Sequence, residues 1–195
     1  VDALSFSGTQ FHGPPGGAAL FVRKGVSIVP VFAGGLQERH RRPGLENIPA
    51  IAGFGAAAAA AKERMDERVT RARHLAARLR AGLERLEAVT LTGHPEFRVP
   101  GHVSVLIHYV EGEALLLMLD MKDIQGASGS SCTAKDLKIS PVLMALNIDH
   151  ASAQGSLVFS TTDETTENDI DRILSELPEI MGRLRAMSPL WKKHS

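Results

Sequence analysis

One cysteine, Cys132, stands among 195 residues, which excludes an intramolecular disulfide framework. The opening residues lack the basic stretch and apolar run of a secretory leader, and with the lone thiol this leads to the expectation of a reducing, cytoplasmic setting. Long apolar runs are missing as well. The most apolar stretch, Ala50 to Ala61, is mainly alanine and glycine and falls short of the roughly 20 helical residues that cross a bilayer, so no membrane segment is expected. Neither sign of charge is in excess. Lys plus Arg and Asp plus Glu number 22 each, so no global field favours nucleic acid or an anionic membrane, and any choice of partner must be local. What the chain does have is apolar content, 44 % of its residues, enough for at least one core of a globular protein.

Along the chain, Val1 to Ser7 is already strand-like, as in a chain entered midway, and the turn cluster Gly13-Pro14-Pro15-Gly16-Gly17 leads into a second apolar strand, Ala18 to Val22. Unpaired edges over residues 1 to 23 would invite a partner chain. Val31 to Pro49 reads as loop, with Gly34-Gly35 and the basic run Arg39-His40-Arg41-Arg42, which is either a solvated loop or an anion site. A helix is predicted from about Ile51 to Leu86, with Met65, Val69, Ala72, Ala76, Leu79, Leu83 and Leu86 on one face.

The periodicity then changes. Val89 to Gly93 and Val103 to Ile107 read as strands, Glu113 to Met121 as a helix, Ile124 to Ala127 as a short strand and Ser128 to Thr133 as a loop of small residues. Ser140-Pro141 opens another helix with proline in its first turn. Ser156 to Ser160 is a last strand, and a helix running to about Met187 carries Ile170, Ile173, Leu177, Ile180 and Leu184 on one stripe. The expected class is α/β, with an α+β domain of about 130 residues at the C-terminal end.

Three segments are similar to cysteine desulfurases of the housekeeping bacterial and nitrogen-fixation type: Ser5-Phe6-Ser7-Gly8-Thr9-Gln10-Phe11-His12-Gly13-Pro14-Pro15-Gly16, His108-Tyr109-Val110-Glu111-Gly112-Glu113-Ala114-Leu115, and Ala127-Ser128-Gly129-Ser130-Ser131-Cys132-Thr133. Smaller echoes at Gly34-Gly35 through Asn47, Thr166 to Ile170 and Ser188 to Trp191 extend the likeness over nearly the whole chain. It covers the C-terminal half of that family, whose class V aminotransferase fold binds pyridoxal phosphate. The resemblance implies that residues 1–66 are the tail of the large cofactor domain and 67–195 the small domain bearing a sulfur-carrying cysteine.

The family's Schiff-base lysine falls at Gln10, whose amide is neither nucleophilic nor usefully basic, so covalent attachment of pyridoxal phosphate is not expected. The histidine before that lysine is Thr9 here, while the phosphate-contacting serine is kept as Ser7. Leu45 replaces a threonine of the loop that reaches a neighbouring subunit's phosphate, and Val158 replaces the arginine that grips the substrate carboxylate. Such a bidentate, charge-assisted pair is typically worth about 2–5 kcal/mol to a desolvated carboxylate. Against these losses, Cys132 keeps the place of the persulfide cysteine. Its nearest cation in sequence is Lys135, so the reference thiol pKa of about 8.5 is its starting value.

Other candidates carry less. His94, His102 and His108 lack ligand-like spacing and no second cysteine joins them, so no metal is expected. His12 and Tyr109 read as packing or surface residues, Met118 and Met121 as core, and the glycines after His12 as a turn. Three functions follow from the resemblance. One is a pseudoenzyme, a binding or regulatory subunit that forms a homo- or hetero-oligomer with a desulfurase-like chain, an iron–sulfur scaffold protein or a separate N-terminal half. The second is a persulfide carrier through Cys132. The third is one half of a two-chain cysteine desulfurase, releasing sulfur from L-cysteine to give alanine, with its cofactor lysine from elsewhere, Lys24 for instance.

Overall fold

A computed structural model of the chain describes residues 1–128 and 140–191. Two compact units divide it, Val1–Asp66 and Glu67–Ser195. In the first, β1 (Ala3–Ser7) pairs antiparallel with β2 (Ala18–Val22), with Leu4 opposite Phe21 and Phe6 opposite Ala19. The alternation of a strand puts Leu4, Phe6, Ala19 and Phe21 on one face. Phe6, Phe11 and Phe54 cluster with ring centroids 5.1 to 6.3 Å apart. A single turn, α1 (Gln37–His40), holds Glu38, Arg39 and His40 at positive φ.

Phe54 belongs to α2 (Ile48–Glu63), which starts where the Asn47 side chain accepts the Ala50 N–H at 3.2 Å and Pro49 occupies the first turn. Gly17 lets β2 approach this helix, since a Cβ there would lie 2.7 Å from the Ala50 carbonyl oxygen.

Between α2 and α3 (Met65–Leu83) stands Arg64, which leaves the helical geometry at φ −99°, ψ 9°. The single helix expected from Ile51 to Leu86 is therefore two, and it begins at Ile48 inside the expected loop. No glycine or proline marks the break, so periodicity alone runs through it. The expected face also shifts: Met65 is 55 % exposed, whereas Leu75, outside the expected stripe, is buried with Ala76, Leu79 and Leu83.

The second unit is built on an antiparallel sheet in the order β3 (Val89–Leu91), β4 (His102–Ile107), β5 (Ser156–Ser160). Val103, Val105 and Ile107 of the central strand turn one way, into a core shared with α3, α4 (Gly112–Asp120) and α7 (Glu167–Met187). Leu106 turns the other way, against Leu143 of α5 (Pro141–Ala145) and Ala153 of α6 (His150–Gln154). Ile124 to Ala127, expected as a strand, contributes only one bridge, Ala127 to Val158. The α7 stripe of Ile170, Ile173, Leu177, Ile180 and Leu184 is buried throughout. Thr166 caps that helix by accepting the Asp169 N–H, and Asp169 returns the contact to the Thr166 N–H.

Polar contacts join α3 to the start of α7. Arg78 grips Asp171 with two hydrogen bonds of 2.8 Å, and His74 meets Glu167 at 3.0 Å. Exposed pairs of this kind are worth about 0.2–1 kcal/mol each, so they set register more than stability. Glycines set the closest approaches. A Cβ on Gly82 would lie 2.4 Å from the Leu174 methyls, and one on Gly155 would lie 1.9 Å from the Ile107 carbonyl oxygen.

Near the other end of α7, Arg185 is only 6 % exposed. It donates to the carbonyls of Glu87 (2.9 Å), Ala88 (3.1 Å) and His108 (3.3 Å), and its guanidinium stacks 4.6 Å from the centroid of the Trp191 ring. Burial pushes its pKa below the usual guanidinium value.

Two stability outcomes follow. Arg185→Ala is expected to cost about 3 kcal/mol in urea unfolding, because it strands buried carbonyls. Arg185→Lys should recover only part of this, since an ammonium lacks the planar fork, and full recovery would contradict that geometry. Gly155→Ala should cost at least about 3 kcal/mol, since its neighbour is backbone and cannot rotate away. A melting temperature unchanged by that substitution would refute the close approach.

Candidate functional site

The strand–turn segment at the head of the first unit gathers three of the residues singled out above. Ser7 ends β1 and caps a 3-10 turn, Gly8–Phe11. Its hydroxyl lies 2.9 Å from the Thr9 hydroxyl and accepts the Thr9 N–H at 3.4 Å. Gln10 reaches back, its carboxamide oxygen accepting the Ser7 N–H at 3.2 Å, so cap and third residue satisfy each other reciprocally. A lysine ammonium has donors only and could not accept that N–H. The turn closes on His12, left-handed at φ 67° and exposed, whose N–H bonds the Gly8 carbonyl.

Leu45 lies elsewhere in the same unit, 96 % exposed, just after Gly44 with its φ of 108°. In the preceding basic run Arg42 donates to the Pro43 carbonyl at 2.8 Å and lies 5.5 Å from the centroid of the Phe32 ring. Lys24 is exposed in the turn after β2.

In the second unit Val158 is half-buried in β5, opposite Ser104 of β4, and exchanges backbone hydrogen bonds of 2.7 and 3.0 Å with Ala127. The Val158 backbone thus pairs with β4 and makes a single bridge to Ala127. Cys132 and Lys135 lie outside the described residues.

The remaining candidates have local tasks. His94 Nδ1 accepts the N–H groups of Glu96 and Phe97, and His108 Nε2 lies 2.9 Å from the Thr90 hydroxyl. No group of three His, Cys, Asp or Glu side chains among the described residues is placed to hold a metal ion. Tyr109 is left-handed at φ 69° and packs on Trp191, with ring centroids 5.5 Å apart. Met118 is half-buried, but Met121 is 78 % exposed and is not the core residue expected. Arg185 is a lone arginine on a predicted helix, and nothing in the sequence around it signals burial.

Among the described residues no helix is long and apolar enough to cross a membrane. The pattern of the Aminotransferase class-V family matches residues 1–173, and the chain belongs to that family. Within it, the chain is 44 % identical over 192 residues to a cysteine desulfurase of Gluconacetobacter diazotrophicus, covering 98 % of this chain and 48 % of that protein. It is 43 % identical to the cysteine desulfurase IscS 1 of Archaeoglobus fulgidus, over 99 % of this chain and 50 % of that one. A solved NifS-like protein superposes with a TM-score of 0.82 at 32 % identity, over 94 % of this chain and 47 % of that one. A NifS-like protein from Rickettsia africae gives the same TM-score at 28 % identity, over 93 % of this chain and 48 % of that one. The chain therefore spans about half the length of the curated relatives it matches, and it shares their mixed α/β fold. The resemblance read from the three motifs is that of the family itself.

The reciprocal cap has a measurable consequence. Gln10→Ala should speed hydrogen exchange of the Ser7 amide about tenfold, the equivalent of about 1.4 kcal/mol of lost capping. An unchanged exchange rate would show that the side-chain bond does not persist in solution.

Proposed function

We propose that this chain is a cysteine-desulfurase-like pseudoenzyme, a binding or regulatory subunit in sulfur mobilisation or iron–sulfur cluster assembly that does not attach pyridoxal phosphate through its own chain. The observation that carries this reading is the use made of Gln10, the residue at the family's lysine position by resemblance. A carboxamide nitrogen does not condense with an aldehyde, and the oxygen of this one serves a backbone N–H. The residues present thus do not fit a covalently held pyridoxal phosphate, and no step through that cofactor is assigned. Thr9, Leu45 and Val158 support the same reading, since each lacks the group that the family uses at its position. Ser7 keeps its hydroxyl, but that hydroxyl is engaged within the turn.

A second reading rests on the retained motif Ala127 to Thr133. Cys132 would accept persulfide sulfur from an active desulfurase and pass it on, which needs thiolate access and no cofactor in this chain. The two-chain desulfurase requires a lysine from outside the Ser7–Gln10 turn, and no contact of Lys24 favours it.

Absorption spectra of the purified chain, alone and with added pyridoxal phosphate, test the first reading. No borohydride-reducible aldimine band is expected, and the appearance of one overturns it. The carrier reading is decided by mass spectrometry after incubation with an active desulfurase and L-cysteine. Sulfur is expected on Cys132 and none on a Cys132→Ser variant, and an unmodified Cys132 sinks the carrier.

A further inference from the structure

The second unit holds a pair of arginines that the readings above leave unused. Arg80, in the last turn of α3, donates Nη1 to the Pro95 carbonyl at 3.0 Å. Arg98 donates Nη2 to the Thr92 carbonyl at 2.6 Å and Nε to the His94 carbonyl at 2.9 Å. The loop from residue 92 to 98 thus sits on both guanidinium groups at once, and Gly93, at φ 82°, makes the turn that lets it do so. Each guanidinium keeps one covered nitrogen whose N–H donors have no acceptor, Nε of Arg80 and Nη1 of Arg98.

The two cations are close enough to act on each other. The Arg98 pKa is lowered first by burial and then by Arg80. Elsewhere in this unit arginines meet carboxylates, Arg68 with Asp163, Arg78 with Asp171 and Arg183 with Glu179. Among the described residues no carboxylate pairs with Arg80 or Arg98. Within the loop, His94 Nδ1 accepts the N–H groups of Glu96 and Phe97.

Water can satisfy a spare N–H, but it leaves the repulsion between two guanidinium groups in place. An oxyanion removes both costs, and paired guanidinium donors match its geometry. We propose that Arg80 and Arg98 form an oxyanion-binding site, which takes a carboxylate or a small tetrahedral oxyanion such as sulfate or phosphate. Because both spare N–H groups are covered, binding lifts the 92–98 loop from at least one guanidinium. The proposal is independent of the fate of Gln10 and Cys132.

The test is a titration of the whole chain with sodium sulfate, and separately with sodium acetate, at ionic strength held constant with sodium chloride. The readout is the NMR resonances of the two arginine Nε–H groups and of the Phe97 amide. Saturable shifts of all three are expected, and the anion that binds more tightly tells the tetrahedral source from the planar one. Arg80→Gln should weaken binding about tenfold, the loss expected for one charge-assisted contact, with Arg80→Lys falling between. The proposal is overturned if neither anion shifts the wild-type resonances beyond the chloride control, or if Arg80→Gln binds as tightly as the wild type.

Discussion

The second unit depends on a buried charge that is held by backbone carbonyls. Arg185 leaves the face of α7 to meet the carbonyls of Glu87 and Ala88 just before β3 and that of His108 just after β4. Both turns contain a left-handed non-glycine residue, Ala88 at φ 51° and Tyr109 at φ 69°. Such a conformation typically costs about 1 kcal/mol or more, and it persists where surrounding contacts over-determine it. One guanidinium therefore anchors the last helix and steadies the two strained turns that bound the β3–β4 hairpin. Trp191 closes over it on one side and packs against Tyr109 with the two rings tilted.

The first unit has no comparable anchor. Its β-hairpin carries apolar side chains on both faces, with Leu4 and Phe21 on one and Leu20 on the other, each about half exposed. Ala50 is its only buried hydrophobic side chain, and the trio Phe6, Phe11 and Phe54 supplies most of its packing. An isolated two-stranded sheet is marginal in water, and one with apolar faces on both sides has the character of strands enclosed within a larger α/β layer. This is consistent with relatives about twice as long. The chemistry of the turn and the architecture of the unit are separate matters: the fold is that of the class V aminotransferase relatives, while the polar atoms of Ser7, Thr9 and Gln10 are engaged with one another.

Much of the second unit was legible from spacing. The α7 stripe, the alternation of β4 and the proline that opens α5 are local patterns, and each appears where periodicity and helix-start rules put it. The division of the long helix at Arg64 was not legible, because residues on either side of it are equally good helix formers. Nor was the short helix α6, five residues too few to show a period. The Ile124 to Ala127 segment looked like a strand by composition, but only Ala127 reaches a partner. Composition states a preference for extended backbone, whereas a ladder needs a neighbour at the right distance.

The sequence alone settled the chemistry available at single positions. A carboxamide at residue 10 has no nucleophilic amine, a valine at 158 binds no carboxylate, and one thiol allows no internal disulfide, because these are properties of the side chains themselves. It also carried the family, through motifs that the comparisons bear out. Only the tertiary structure decided what the side chains are used for. Gln10 completes a cap, Arg185 holds three backbone carbonyls, and Arg80 and Arg98 hold the same loop. The reason is physical: a side chain's reactivity is intrinsic, but its burial, partners and electrostatic neighbours come from segments up to 98 positions away, as between Arg185 and Glu87.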